Sequence, residues 1–286
     1  MPIHVLSALS AILLFLSATQ EELYKAVDFS KEHEFTAGIE GPSVARDGSL
    51  YVMNLKNEGT VGRVKPDGTV ELFVELPKGS IGNGSRFQSD GSMLVADYTG
   101  HNVLRLDMKT KAVSVWAHES RMNQPNDIAI MKNDTVFASD PNWSNSTGNL
   151  WRISPAGKVS LVEEKMGTTN GIEVSPDNRY LYVNESIQLK VWRYRLSAEG
   201  NLNHKQLIAE FPDFGLDGMR CDAQGNLYIT RYGKGTMVKL SPEGKLLKEI
   251  QLKGKNPTNI AFGGKDGKTV FVTMQDRGMI EKFQVE

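Results

Sequence analysis

The chain holds one cysteine, Cys221, and five histidines in 286 residues. A single thiol excludes an internal disulfide framework and any zinc site built on paired cysteines. An excess of one charge is also missing, since 33 basic and 34 acidic side chains leave a net charge of -1. Interspersed as they are, these charges make no basic footprint for nucleic acid and no field aimed at an anionic membrane. Helical periodicity is absent beyond the first twenty residues, and no apolar run reaches the length of a bilayer span. What remains is a hydrophobic content of 40% and a charged content of 23%, ordinary values for a soluble globular chain.

The longest apolar stretch is Ile3 to Leu16, followed by Ser17-Ala18-Thr19-Gln20 and then by Glu21-Glu22. It is too short to span a membrane and has the form of a secretory core with a small-residue cleavage zone. Residues 1–20 are therefore expected to be a signal peptide, and residues 21–286 a single domain, secreted or periplasmic. Such a destination suits a chain with no thiol pairs to manage, and outside the cell even weak calcium sites fill.

From Leu23 onward the chain alternates short apolar runs with turns. Ser49–Met53, Val61–Val64 and Val70–Val74 form one set, bounded by Asp-Gly and Pro-Asp-Gly turns that suit hairpins. Equivalent sets follow, ending with Thr269–Val272 and Met279–Phe283, and the pattern recurs roughly every 45 residues. That is the period of a four-stranded propeller blade. The expected fold is all-β: a six-bladed β-propeller. Its last repeat lacks an outer strand, which the spare segment Lys25 to Phe35 can supply, so that an N-terminal strand joins the last blade and closes the circle. Trp116, Trp151 and Trp192 sit inside strands and are expected to pack between blades. Cys221, also in a strand, reads as a small core residue.

A second regularity carries the chemistry. Seven residues before the turn residue of each repeat stand Glu40, Asn83, Asn126, Asn170, Asp217 and Asn259. Every one offers an oxygen, and none is apolar, His or Cys. In a propeller, equivalent positions at the entrance of the inner strands converge on one axis. Asn and Asp are common turn residues in their own right, but six in register, with Glu40 among them, point to a shared site. Two carboxylates and several amide oxygens in a confined mouth call for a cation. Hard oxygen donors select calcium first, with magnesium, manganese or zinc as alternatives.

Glu40-Gly-Pro-Ser, Pro125-Asn-Asp-Ile-Ala-Ile, Ser139-Asp140-Pro141, Thr169-Asn-Gly-Ile-Glu-Val-Ser-Pro-Asp and Leu216-Asp-Gly-Met-Arg-Cys-Asp together resemble the regucalcin/gluconolactonase family. The resemblance extends from about Glu34 to the C terminus and implies a six-bladed propeller, in agreement with the repeat count. It implies metal ligation by Glu40, Asn170 and Asp217, with Asn126 as a further ligand or a substrate contact, and Asp217 as general base. A related propeller, calcium-dependent diisopropyl fluorophosphatase, uses a similar Glu, Asn, Asn, Asp set. The implied reaction is metal-assisted opening of a sugar or other small lactone, with Asn126 and Asp127 hydrogen-bonding the substrate. Asn83, Asp140 and Asn259 either line the same pocket or serve the fold.

The chain departs from that family in having Gln124-Pro125 where other members carry a basic residue. Arg86 reads as a solvated surface side chain, and His33, His101, His118 and His204 fall near strand ends or loops, away from the ring. The loop Asn142 to Gly148, with Trp143, is expected to shape the entrance. A phosphotriesterase-type hydrolase and a non-enzymatic binding scaffold are the alternative readings, because the fold alone decides neither.

Overall fold

The computed structural model describes residues 23–286; the expected leader lies outside the described residues. The pairs Asp47-Gly48, Asp67-Gly68 and Asp90-Gly91 make the turns that their chemistry suits. At Asp47-Gly48 the carboxylate accepts the Ser49 N–H at 2.9 Å, and Gly48 takes φ +84°, a conformation with little cost for glycine alone. The apolar runs between such turns pair into six four-stranded antiparallel sheets. Blade 1 consists of Phe35–Val44, Leu50–Leu55, Thr60–Val64 and Val70–Glu75. Blades 2 to 5 repeat this plan, with first strands at Gly82–Phe87, Ile128–Ile130, Thr169–Val174 and Gly215–Cys221. Blade 6 contains Pro257–Gly263, Thr269–Met274 and Met279–Gln284.

The first strands of successive blades contact one another in order, and that of blade 6 returns to that of blade 1. The ring is therefore closed around an axis lined by first strands. Every junction carries a hydrogen bond from one blade to the next. Ser43 Oγ donates to the Ser85 carbonyl (2.8 Å), Gly84 N to Asn126 O (2.8 Å), and Asp140 N to Thr169 Oγ1 (3.2 Å). Asn184 Nδ2 donates to Asp217 O (2.6 Å), Thr230 Oγ1 to Thr258 O (3.0 Å), and Thr258 Oγ1 to Ile39 O (2.8 Å). The hydrophobic core is divided among the gaps between blades. In one gap Met53 and Val61 of blade 1 meet Met93 and Val95 of blade 2; in the next, Leu94 and Val103 meet Ile128 and Trp151.

The N-terminal strand does close the circle, but over a shorter span than the sequence suggests. Only Val27–Asp28 pairs with the last strand, opposite Lys282 and Glu281, aided by a bridge from Leu23 to Gln284. Phe35 belongs instead to the innermost strand of blade 1, where it pairs with Leu55. The chain must travel from the rim of the ring to its axis between these points, and the turn at His33, with φ +61°, breaks the strand. Arg277 fastens the closure: it bonds Asp28 (2.8 Å), Glu32 (2.6 Å) and the buried Glu281 (2.7 Å).

Candidate active site

Five of the six in-register positions lie on the innermost strands, as expected, with Asn126 two residues before Ile128–Ile130, and the strands themselves explain how the side chains are aimed. Regular pairing with the second strand breaks between Glu40 and Ser43, Gly82 and Ser85, Thr169 and Ile172, Leu216 and Met219, and Pro257 and Ile260. Each break falls at a ring residue. A bulge there releases the residue from the alternation of the strand and turns it toward the axis. In four blades the next residue is glycine, because the neighbouring innermost strand approaches too closely for a side chain. A Cβ on Gly41, Gly84, Gly171 or Gly218 would lie closer than 3.0 Å to Asn83, Asp127, Asp217 or Asn259 respectively.

Glu40, Asn83, Asn126, Asn170 and Asp217 line one cavity of about 640 Å³ at the mouth of the ring. Asn259, the sixth, sits behind it, buried, and its Nδ2 donates to Glu40 Oε2 at 2.9 Å. The second oxygen-bearing level holds the remaining predicted residues. Asp127, fully buried, faces away from the cavity: its Oδ1 accepts from Arg86 (3.2 Å) and the Ile128 N–H (2.9 Å), its Oδ2 from Arg220 (3.3 Å) and Asn259 (3.4 Å). Asp140 is also committed elsewhere, its Oδ1 to the N–H groups of Asn123 and Gln124 and its Oδ2 to Trp151 Nε1 at 2.8 Å. Neither borders the cavity, so the substrate contacts expected of Asp127 and Asp140 do not match where these side chains lie.

Arg86 likewise departs from its expected surface position. It is 8% exposed and bonds Glu173 at 2.8 Å, so that Arg86, Arg220, Asp127 and Glu173 form a charge-balanced cluster beneath the cavity floor. The partners stand 87 and 93 residues apart, which is why local pattern did not reveal them. Other features were missed for a simpler reason. Tyr98, Ser186, Tyr232 and Gln275 also border the cavity, as does Trp143, which was expected at the entrance; all five stand about 15 to 17 residues beyond a ring position, where the second strand ends. That second register was present in the repeat and could have been read from it. Trp143 starts a single 3-10 turn, Trp143–Asn145, capped by Asn142, whose side chain accepts the Asn145 N–H at 3.2 Å.

The electrostatics of the floor follow from burial. Loss of water pushes the Glu40 carboxyl up to about 7, with the charge of Asp127 adding to the effect. Burial, and then the nearby Glu40, hold Asp217 well above the usual carboxylate range, while the Asn170 side chain eases it. Asn83 Oδ1 and Asn170 Oδ1 are buried there without any hydrogen-bond partner. Such a floor has an excess of acceptors and too little positive charge to satisfy them. Among the described residues no group of three or more His, Cys, Asp or Glu side chains is gathered, so any ion here would rest on amide as well as carboxylate oxygens. Two carboxylates with orphaned amide oxygens fit a hard divalent cation.

Residues 39–276 match the model of the SMP-30/gluconolactonase/LRE-like region. The chain belongs to this family. A gluconolactonase of Zymomonas mobilis is 27% identical over 269 residues, covering 82% of this chain and 75% of the relative. Among solved structures, a gluconolactonase of Xanthomonas campestris superposes with a TM-score of 0.79 at 18% identity, over 94% of this chain and 93% of the other. A calcium-binding regucalcin of Agrobacterium tumefaciens gives 0.77 at 21% identity, over 88% and 91%. Both structures share the propeller of this SMP-30/gluconolactonase-like chain.

Proposed function

We propose that this chain is a metal-dependent lactonase that opens a sugar or other small lactone by hydrolysis at the cavity floor. The observation that carries this reading is the convergence of Glu40 and Asp217 with the unpartnered oxygens of Asn83 and Asn170. The lactonase and gluconolactonase names among its relatives agree with it. Glu40, Asn126, Asn170 and Asp217 would hold the ion, with calcium the first choice on donor chemistry. Bound there, calcium supplies Lewis-acid polarisation of the lactone carbonyl.

The chain's own residues supply the rest. Asp217 takes a proton from the water that attacks the carbonyl carbon. As the ring C–O bond breaks, the same proton passes to the leaving oxygen, which gives the hydroxy acid. Asn83 and Asn126 border the reacting centre and orient the substrate. Asn259 fixes Glu40 from behind, and the Gly41 N–H donates to Glu40 Oε2 at 2.8 Å.

The test is hydrolysis of lactones and phosphotriesters with chelator, then with added calcium. Calcium-dependent turnover of a lactone is expected, together with its loss in Asp217→Asn while the fold is kept. Turnover of phosphotriesters alone would shift the reading to the phosphotriesterase alternative, and turnover of neither would leave a binding scaffold. Export by the N-terminal leader is part of the proposal, checked by N-terminal sequencing of the mature protein. Among the described residues no helix is long and apolar enough to cross a membrane.

A further inference from the structure

A lactone ring on the carboxylate floor leaves most of the surrounding space unused. A second cavity, about 670 Å³, adjoins the first and shares two of its walls, Tyr98 and Trp143. Together the two are of a size that takes ligands larger than a single sugar ring. Resting on the lactonase reading above, we propose that the substrate is a neutral two-ring sugar lactone. Its lactone ring occupies the floor, and its glycosyl substituent lies against Tyr98 and Trp143 in the second cavity.

The lining of that cavity argues for the substituent. Beyond the two aromatic rings it is formed by Thr99, Asn123, Gln124, Asn142 and Ser144, with no charged side chain among the described residues that border it. Aromatic faces accept the C–H faces of a sugar ring, while amides pair with its hydroxyls. The amides have capacity to spare. Asn142 Oδ1 accepts from Ser144 Oγ (2.8 Å) and the Asn145 N–H, which leaves its amide N–H groups free. Asn123 Nδ2 donates to Pro141 O at 2.6 Å, which leaves its Oδ1. Trp143 Nε1 is buried beside the Tyr98 hydroxyl, which ties the two aromatic walls together.

The cavity is also preformed. Asp140 grips the backbone N–H groups of Asn123 and Gln124, at 2.8 and 2.7 Å, and Gln188 Nε2 holds the Ser146 carbonyl at 2.9 Å. Asp140, set aside above as a substrate contact, thus acts as a positioning residue for this wall. An anionic substituent would lose its water without gaining a cation in the second cavity. With Glu40 and Asp217 engaged at the floor, Glu58 is the charged side chain left on the adjoining cavity among the described residues, and it would repel an anion. An alkyl tail would face amides and gain little.

The test compares gluconolactone, cellobionolactone, a sulfonated gluconolactone and an alkyl-substituted lactone on the calcium-loaded protein. Cellobionolactone is expected to show a KM about tenfold below that of gluconolactone, the scale of one stacked ring or one hydrogen bond. Gln124→Ala, which borders only the second cavity, should erase that difference while leaving kcat and KM for gluconolactone within about twofold, and Trp143→Ala should raise KM for cellobionolactone more than for gluconolactone. Gln124 is the safer variant if Trp143→Ala impairs folding. Equal KM values for one and two rings, or a preference for the sulfonated or alkyl lactone, would overturn the second subsite and leave the lactonase reading intact. Failure to hydrolyse any of the four would overturn both.

Discussion

Replacing Asp127 with asparagine separates a residue of the fold from a residue of the substrate site. The side chain keeps its shape and loses one charge. Asp127 is fully buried, with Arg86 at 3.2 Å and Arg220 at 3.3 Å on its two oxygens, and Glu173 supplies the second negative charge of the cluster. Two guanidiniums and two carboxylates balance, so Asp127→Asn leaves one buried positive charge without its partner. Removing one partner of a buried ion pair costs about 3–5 kcal/mol. Part of this is returned because the charge of Asp127 no longer opposes ionisation of Glu40. A net loss of about 3 kcal/mol lowers Tm by roughly 5 °C in a chain of this size. Differential scanning calorimetry of wild type and variant measures it directly. A variant that melts within about 1 °C of wild type but shows a raised KM would refute the reasoning and restore Asp127 to the substrate.

Three further outcomes follow from the same geometry. In chelator, the raised carboxyl of Glu40 makes the protonated form the better fit for the fold. Its contribution is then complete below the ordinary glutamate value of 4.5 and lost as pH rises through about 7. The metal-free protein should therefore melt lower at pH 8 than at pH 5, with added calcium removing the difference; an unchanged Tm across that window would count against the crowded floor. Arg277→Ala, which cuts the clasp to Asp28, Glu32 and the buried Glu281, should cost about 1–3 kcal/mol and speed amide exchange in the last blade more than in blade 3. Gly171→Ala adds no polar group, yet its Cβ would sit closer than 3.0 Å to the Asp217 carbonyl oxygen. It should lose about 1–3 kcal/mol and weaken calcium binding in calorimetry, whereas an unaffected affinity would show that the glycine does not set the position of Asp217.

Blade number and the oxygen ring were legible in the chain because both rest on local, repeated chemistry. Hairpin turns at Asp47-Gly48 and its counterparts report themselves within a few residues. Once the repeat is aligned, Glu40, Asn83, Asn126, Asn170, Asp217 and Asn259 fall in one column. Periodicity also placed Trp151 in the core between blades, where it is 1% exposed.

Direction was another matter. Asn126 and Asp127 are adjacent, and only the packed ring decides that the first borders the cavity while the second turns down to Arg86 and Arg220. Those guanidiniums come from strands far off in sequence, so no window of the chain contains both halves of the cluster. The same holds for Asp140, whose oxygens are claimed by Trp151 and the backbone of Asn123 and Gln124. By itself the sequence determined which residue types recur and at what spacing, because turns and alternation act between near neighbours. The tertiary structure alone decided which of those polar groups face the open mouth and which are consumed below it, because that depends on bulges and partners supplied by other blades.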